Sequence, residues 1–313
     1  MADHQDLQVG DRTVRISNPE RVYFPARGET KLDLARYYLA VGDGIVNALC
    51  ERPCMLHRFP SGVSGEKVHQ KRLPRGAPDW IQTVRVDFPS GRHAEELCVT
   101  HLADVIWGVQ MSTVEFHPWN SRRGHVEQPD EWRIDLDPMP AADYSDVRRV
   151  AAVVQEVLAE LGITGYPKTS GGNGLHVYVR IEPHWEFPAV RRAAWAFARE
   201  IERRLPDLVD LTWWRKDRDP ATVFVDYNQN ARDHTIRAAY SVRGVAEAVV
   251  STPIDWAEIP DAEPGDFTIA SVPERFARLG DLHAGMDAVA HSLEPLLEWV
   301  ERDAAAARDL PSG

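Results

Sequence analysis

The chain has 313 residues, 43% hydrophobic and 27% charged, with ten Trp, nine Phe and eight Tyr, which is far more buriable surface than a disordered chain carries. It has no run of about 18 apolar residues to span a bilayer, and its start, MADHQDLQVGDRTVRIS, lacks the basic and apolar regions of a secretory signal, so the expected location is the cytoplasm. A formal net charge of −12 excludes a protein that coats nucleic acid through one uniformly basic surface.

Thr13 to Ser17 alternates like a short strand, and Thr30 to Leu49 carries apolar residues at helical spacing. Arg58 to Arg75 is a Gly- and Pro-punctuated segment holding Arg58, Lys67, Lys71, Arg72 and Arg75 against one acid, Glu66. It is either a phosphate-binding patch or a solvated loop. Thr83 to Phe88 reads as a strand, His101 to Met111 as a helix, and Thr113 to His117 as a strand. Trp132 to Asp137 alternates, with Ile134 and Leu136 on one face, and Pro138 ends it. Ser145 is the expected N-cap of a helix running to Gly162, which stands at the C′ position. Leu175 to Ile181 is a strand, Ala189 to Leu205 an amphipathic helix and Thr222 to Tyr227 a further strand. Pro253 to Asp266 reads as a connector and Asp287 to Arg308 as a closing helix.

Strands and helices alternate without the glycine fingerprint of a dinucleotide fold, which predicts a mixed α/β core of sheets flanked by helices in one domain over 1–313. The charge is uneven: from Ser251 to Gly313 thirteen acids face four arginines, a balance of −9 that leaves −3 on the first 250 residues. Cys50, Cys54 and Cys98 are too few and too irregular for a disulfide framework. They read as reduced thiols; the alternative is a zinc site completed by His57 and His101.

The chemistry concentrates in two places. In a strand, residues i and i+2 share a face, so Asp135 and Asp137 project two carboxylates side by side. Such a pair invites a hard divalent cation, Mn²⁺ or Mg²⁺ rather than zinc, although a solvated strand end has the same pattern. Asp226, near the end of an apolar strand, is the candidate third ligand, and three such acids equip a site for phosphoryl or nucleotidyl transfer. The second place is Lys168 to His176, a glycine-rich turn feeding a strand. There backbone N–H groups with Thr169, Ser170 and His176 have the means to hold phosphate, unless this is an ordinary turn with a core histidine. It is not a P-loop.

EFHPWNSRRGHVEQPDEWRIDLDP, PKTSGGNGLHVYV, VFVDYNQN and AYSVR, in this order and spacing, resemble the polymerase domain of bacterial ligase D, of the archaeo-eukaryotic primase superfamily, in its stand-alone Prim-PolC-like form. The similarity runs from SNPERVYFP to STPIDW near residue 256, leaving about 267–313 as a C-terminal acidic helical segment. The resemblance implies a primase-polymerase core with central antiparallel or mixed sheets. It further implies that Asp135, Asp137 and Asp226 are catalytic metal ligands, with Mn²⁺ favoured over Mg²⁺. Arg58, His117, Ser170, His176, Gln229 and Arg243 correspond to nucleotide-binding residues, and Arg21 and Lys31 to residues holding a 5′-phosphate across a gap. Lys67, His69, Lys71 and Arg72 fall on the DNA-binding segment.

Five positions depart from the family pattern. Asn173 replaces a lysine in the glycine turn, Asp219 stands where an arginine is common with Arg218 beside it, His57 replaces a basic residue next to Arg58, and Val68 and His69 replace a pair of phenylalanines. The implied function is a DNA-directed primase-polymerase that adds ribo- or deoxyribonucleotides at short gaps or broken ends bearing a 5′-phosphate. The implied partners are NTP or dNTP, an end-binding protein and a separate DNA ligase, at the nucleoid and away from membranes. The competing readings are a metal-dependent phosphodiesterase or nuclease, a non-catalytic DNA-end scaffold, and a sugar-nucleotide transferase.

Overall fold

The structure, a computed structural model, describes residues 3–88 and 90–308; the last five residues of the expected C-terminal segment lie outside them. The chain opens with a hairpin of β1 (His4–Val9) and β2 (Arg12–Ser17) and a small ribbon of β3 (Val22–Phe24) and β4 (Glu29–Thr30). The helical spacing of Thr30 to Leu49 resolves into two helices, α1 (Lys31–Ala40) and α2 (Gly42–Leu49), broken at Val41 with φ −107° and ψ 25°. Gly42 and Gly44 weaken helix propensity where the chain turns, while Thr30 and Asp33 form a reciprocal capping box at the start of α1.

The first sheet is built on β5 (Pro53–Arg58), which pairs antiparallel with β6 (Val68–Gln70), β8 (His93–Cys98) and β9 (Thr113–Pro118); β7 (Thr83–Asp87) extends it beyond β8. The helix α3 (Leu102–Gln110) leads directly into β9, as its sequence predicts. The cysteines do not assemble a zinc site. Cys54 and Cys98 are buried thiols that burial pushes up, Cys98 to about 11; His57 bonds to Glu115, and His101 caps α3 by accepting from the Ala103 N–H.

The second sheet runs β11 (Tyr166–Thr169), β12 (Leu175–Arg180), β10 (Glu131–Pro138), β13 (Val223–Val225), every pairing antiparallel. The helices α4 (Tyr144–Glu160) and α5 (Phe187–Arg204) cover it, with Trp132 of β10 edge-on to Phe197 of α5 at 4.8 Å. The N-cap of α4 is Asp143, not Ser145: its carboxylate accepts from the Ser145 and Asp146 N–H groups, a stronger acceptor than a serine hydroxyl two residues on. Gly162 follows the helix at φ +66° as expected. After α6 (Val272–Leu279), the closing helix α7 starts at Glu294 and runs to Arg308. It begins seven residues later than the periodicity suggests, because Asp287 is held at a 3₁₀ turn by Arg122 and Arg180.

Candidate active site

The register of the second sheet gathers the acids. Asp135 of β10 lies opposite His176 of β12, and Leu136 opposite Val225 of β13, so Asp226 emerges beside Asp135 and donates its N–H to the Asp135 carbonyl at 2.8 Å. One carboxylate oxygen from each of Asp135, Asp137 and Asp226 lies within 4.8 Å of the others. Burial first, then the Asp226 charge, pushes Asp135 up to about 7. The Asp135 charge first, then burial, pushes Asp137 up to about 8. Asp135 Oδ1 is buried and accepts no hydrogen bond, although His176 Nε2 stands 3.3 Å from it. Crowded carboxylates with an unsatisfied buried oxygen fit a divalent cation, and an all-oxygen donor set suits Mn²⁺ or Mg²⁺.

Against this trio lies the turn between β11 and β12. Ser170 Oγ accepts the N–H groups of Gly172 and Gly174, both at 3.1 Å, and a Cβ at Gly174 would stand 2.6 Å from the Leu136 carbonyl oxygen, so only glycine lets the turn press onto β10. Asp137, Ser170, Asn173 and Arg243 line an open cleft of about 460 Å³. Arg237 Nη1 donates to the Ser170 carbonyl at 2.7 Å and Arg243 Nη1 to that of Gly171 at 3.3 Å. His176 is fixed through its Nδ1, 2.7 Å from Lys168 Nζ, which is itself wholly buried and also donates to Ser251 Oγ and the Arg237 carbonyl.

A second cluster was not anticipated. Glu115 and His117, two apart on β9, turn to one face while Val114 and Phe116 enter the core, and His57 of β5 lies directly opposite Glu115. Glu115 Oε2 takes His57 Nδ1 at 2.6 Å and His117 Nε2 at 2.9 Å, with Arg237 Nη2 at 3.4 Å and Lys67 Nζ at 3.8 Å. Its Oε1 accepts the Gly244 N–H at 2.7 Å. Burial alone would raise its pKa, but the hydrogen bonds from His117 and His57 and the Arg237 charge hold it well below the carboxylate range. Burial pushes His117 down to about 3. With so many donors on one carboxylate, this cluster is charge-satisfied, and the aspartate trio is the set that fits a metal. The rule that two residues apart share a face, applied to EFH as it was to DLD, would have found it.

The other expected site residues are dispersed. Strand alternation sends Arg58 to the opposite face from His57: its Nε donates to the Met111 carbonyl, its Nη1 bonds Gln70, and its charge bears on Lys31. Arg58 thus lies with Gln70, Met111 and Lys31 and is not among the residues that line the cleft beside Ser170. Lys31 is buried with its ammonium on Ser17 O, Gln110 O and Gln110 Oε1, and burial with the Arg21 and Arg58 charges lowers it to about 8. Arg21 is exposed and donates to the Pro60 carbonyl. Gln229 Nε2 donates to Asp226 Oδ2 at 3.1 Å and so steadies an acid. His69 is exposed and stacks on His57 at 4.4 Å, whereas Lys71 is held by Asp233 and Arg72 by the His93 carbonyl. Where Asp219 breaks the family pattern, Arg218 supplies a charge that pulls Asp137 down.

Residues 30–283 match the family described as the LigD primase-polymerase domain. The chain belongs to that family. The multifunctional non-homologous end joining protein LigD of Mycolicibacterium smegmatis is 31% identical over 288 residues, 91% of this chain and 38% of that protein. LigD of Pseudomonas aeruginosa is 32% identical over 267 residues, 85% of this chain and 32% of that protein. The LigD-type chain thus spans about a third of the curated relatives it matches. The solved polymerase domain of Mycobacterium tuberculosis ligase D, in complex with DNA, superposes with a TM-score of 0.82 at 30% identity, covering 89% of this chain and 99% of that one. The expected mixed α/β core of antiparallel sheets flanked by helices agrees with that neighbour. Membership in the LigD primase-polymerase family makes this chain a nucleotidyltransferase. No helix among the described residues is long and apolar enough to cross a membrane.

Proposed function

We propose that this chain is a DNA-directed primase-polymerase that adds ribo- or deoxyribonucleotides to a primer 3′-OH at short gaps or broken ends. The observation that carries the reading is the acid trio set directly against the Ser170 turn, because nucleotidyl transfer needs a cation site and a triphosphate cradle side by side. The primer 3′-oxygen attacks the α-phosphorus, its bond to the β-phosphate bridge breaks, and pyrophosphate leaves. Asp135, Asp137 and Asp226 would hold Mn²⁺ or Mg²⁺, which supplies activation of the attacking oxygen and charge neutralisation. Ser170, Arg243 and the turn's backbone bind the triphosphate; Arg237 orients the turn through the Ser170 carbonyl. His117, held by Glu115, and His176, held by Lys168, border the incoming nucleotide. Gln229 keeps Asp226 in place.

The 5′-phosphate side is Arg21 with Lys31, joined by Arg58. Burial first, then the Arg21 and Arg58 charges, lowers Lys31, and a phosphate relieves that charge repulsion. Lys67 and His69 face the template, with Lys71 and Arg72 behind them. A separate ligase and an end-binding protein complete repair in the cytoplasm, at the nucleoid.

Extension of a labelled primer across a short gap, with ribo- and deoxynucleotides in Mn²⁺ and Mg²⁺, tests the reading. Metal-dependent addition lost in Asp135→Ala/Asp137→Ala is the expected result; shortening of the primer instead would establish a nuclease. Arg21→Ala, an exposed position that spares the fold, is expected to lower the preference for a phosphorylated gap, and an unchanged preference removes Arg21 from the phosphate site. Gly174→Ala pushes the turn off Leu136 and is expected to weaken nucleotide binding by about tenfold, the scale of an overpacking cost. Titration with a fluorescent nucleotide measures it, and unaltered affinity would mean the turn does not cradle the triphosphate.

A further inference from the structure

The edge of the second sheet beyond β13 carries a segment that the proposed chemistry leaves unused. Thr212 to Asp219 leads into β13 and includes Trp213 and Trp214, which are 54% and 64% exposed. Two neighbouring indoles in solvent mark a surface that gains by being covered. Their rings meet edge to face at 6.4 Å, and the Arg191 guanidinium backs Trp213 at 5.6 Å from its ring centre. The next two side chains, Arg215 and Lys216, are exposed and make no hydrogen bond or salt bridge among the described residues. The segment is close to the acids, since Arg218 lies 3.3 Å from the ring centre of Phe224, the residue that pairs with Asp137 across β13 and β10.

Its position relative to the cleft identifies its occupant. β10 carries the central acids, β12 and the Ser170 turn flank it on one side, and β13 with this segment flanks it on the other. In-line displacement at phosphorus requires the attacking oxygen opposite the departing pyrophosphate. With the triphosphate over the Ser170 turn, the 3′ end of the primer approaches from the β13 side. Exposed aromatic rings next to unpaired cations are the equipment for a single strand, whose bases offer faces and whose backbone offers phosphates. We propose that Trp213 and Trp214, with Arg215 and Lys216, form a platform for the single-stranded 3′ end of the primer. This rests on the polymerase reading of the acid trio.

The test measures binding without catalysis. Fluorescence anisotropy of a labelled oligodeoxythymidine, with neither nucleotide nor metal, would compare the full chain with Trp213→Ala/Trp214→Ala, while a fluorescent nucleotide reports the cleft separately. The expected result is a loss of oligonucleotide affinity on the order of tenfold for each tryptophan, with nucleotide affinity unchanged. Trp213→Phe/Trp214→Phe should retain most of the binding, and Arg215→Ala/Lys216→Ala should flatten its salt dependence. Unchanged oligonucleotide affinity in the double alanine variant overturns the proposal and leaves the indoles as a surface for another protein. Equal loss of nucleotide and oligonucleotide affinity also overturns it, as does absence of oligonucleotide binding by the unaltered chain. Failure of the polymerase reading looks different: the unaltered chain would bind the oligonucleotide and extend no primer under any metal.

Discussion

Asp137→Asn is expected to cut nucleotide addition by on the order of 10³ while making the metal-free protein more stable. Both effects have one origin. Asp137 is pushed up to about 8 chiefly because the Asp135 charge is beside it, and Asp135 to about 7 by burial and Asp226. The three carboxylates repel one another in the folded state, and the amide removes one of the charges. The same feature fixes the direction of a pH effect. Both folded pKa values lie above the unfolded carboxylate value of about 3.9, so the trio's contribution to stability is fully present below that pH and is lost as pH rises through about 7 to 8. In chelator, melting of the parent protein should therefore lose ground between pH 4 and 8 relative to Asp137→Asn, by about 2–4 °C for each kcal/mol of repulsion. Mn²⁺ should restore the parent at pH 8 and do much less for the variant. A metal-free variant that melts below the parent at pH 8 would show that the acids are not held together against repulsion.

That trio was legible because strand alternation is a local rule. Asp135 and Asp137 needed only a strand from Trp132 to Asp137, and Asp226 only the end of another; the register that joins them is a property of three strands and lay outside reach. Local reasoning failed where the pattern was erased or shared. Pro53 to Arg58 is buried on both faces along much of its length, so its alternation vanished and β5, the centre of the first sheet, went unread. Without β5 there was no way to see that His57 and Arg58 diverge, one to Glu115 and one to Lys31. Thr30 to Leu49 kept its helical spacing across a break because α1 and α2 both bury residues against one core. Lys168 is only the first residue of the glycine turn in the sequence, and the tertiary fold shows it buried as the partner of His176.

Glu115→Gln should raise the nucleotide KM on the order of tenfold and leave kcat comparatively unaffected. The carboxylate ties His117 and His57 to Arg237 and to the Gly244 backbone beside Arg243, and so would act as a positioning residue for the proposed nucleotide site. If the glutamine oxygen keeps the Gly244 N–H, its NH₂ faces His57, His117 and Arg237, replacing an acceptor by a donor among donors. Nothing in the metal trio is touched, so binding should suffer more than chemistry. Stability should fall as well, by about 3 kcal/mol, because loss of a buried partner strands the charges it served. The pH dependence has the opposite sense to that of the aspartates. Glu115 is held below its unfolded pKa of about 4.5, and His117, lowered to about 3, is packed neutral, so this cluster's stabilisation is full above about pH 6.5 and is lost progressively as pH falls below the unfolded values towards the folded ones, about 3 for His117. Glu115→Gln should therefore blunt acid destabilisation even as it lowers stability at neutral pH. A purely structural role would lower stability with KM intact once the protein is folded, and that result would separate Glu115 from the nucleotide site.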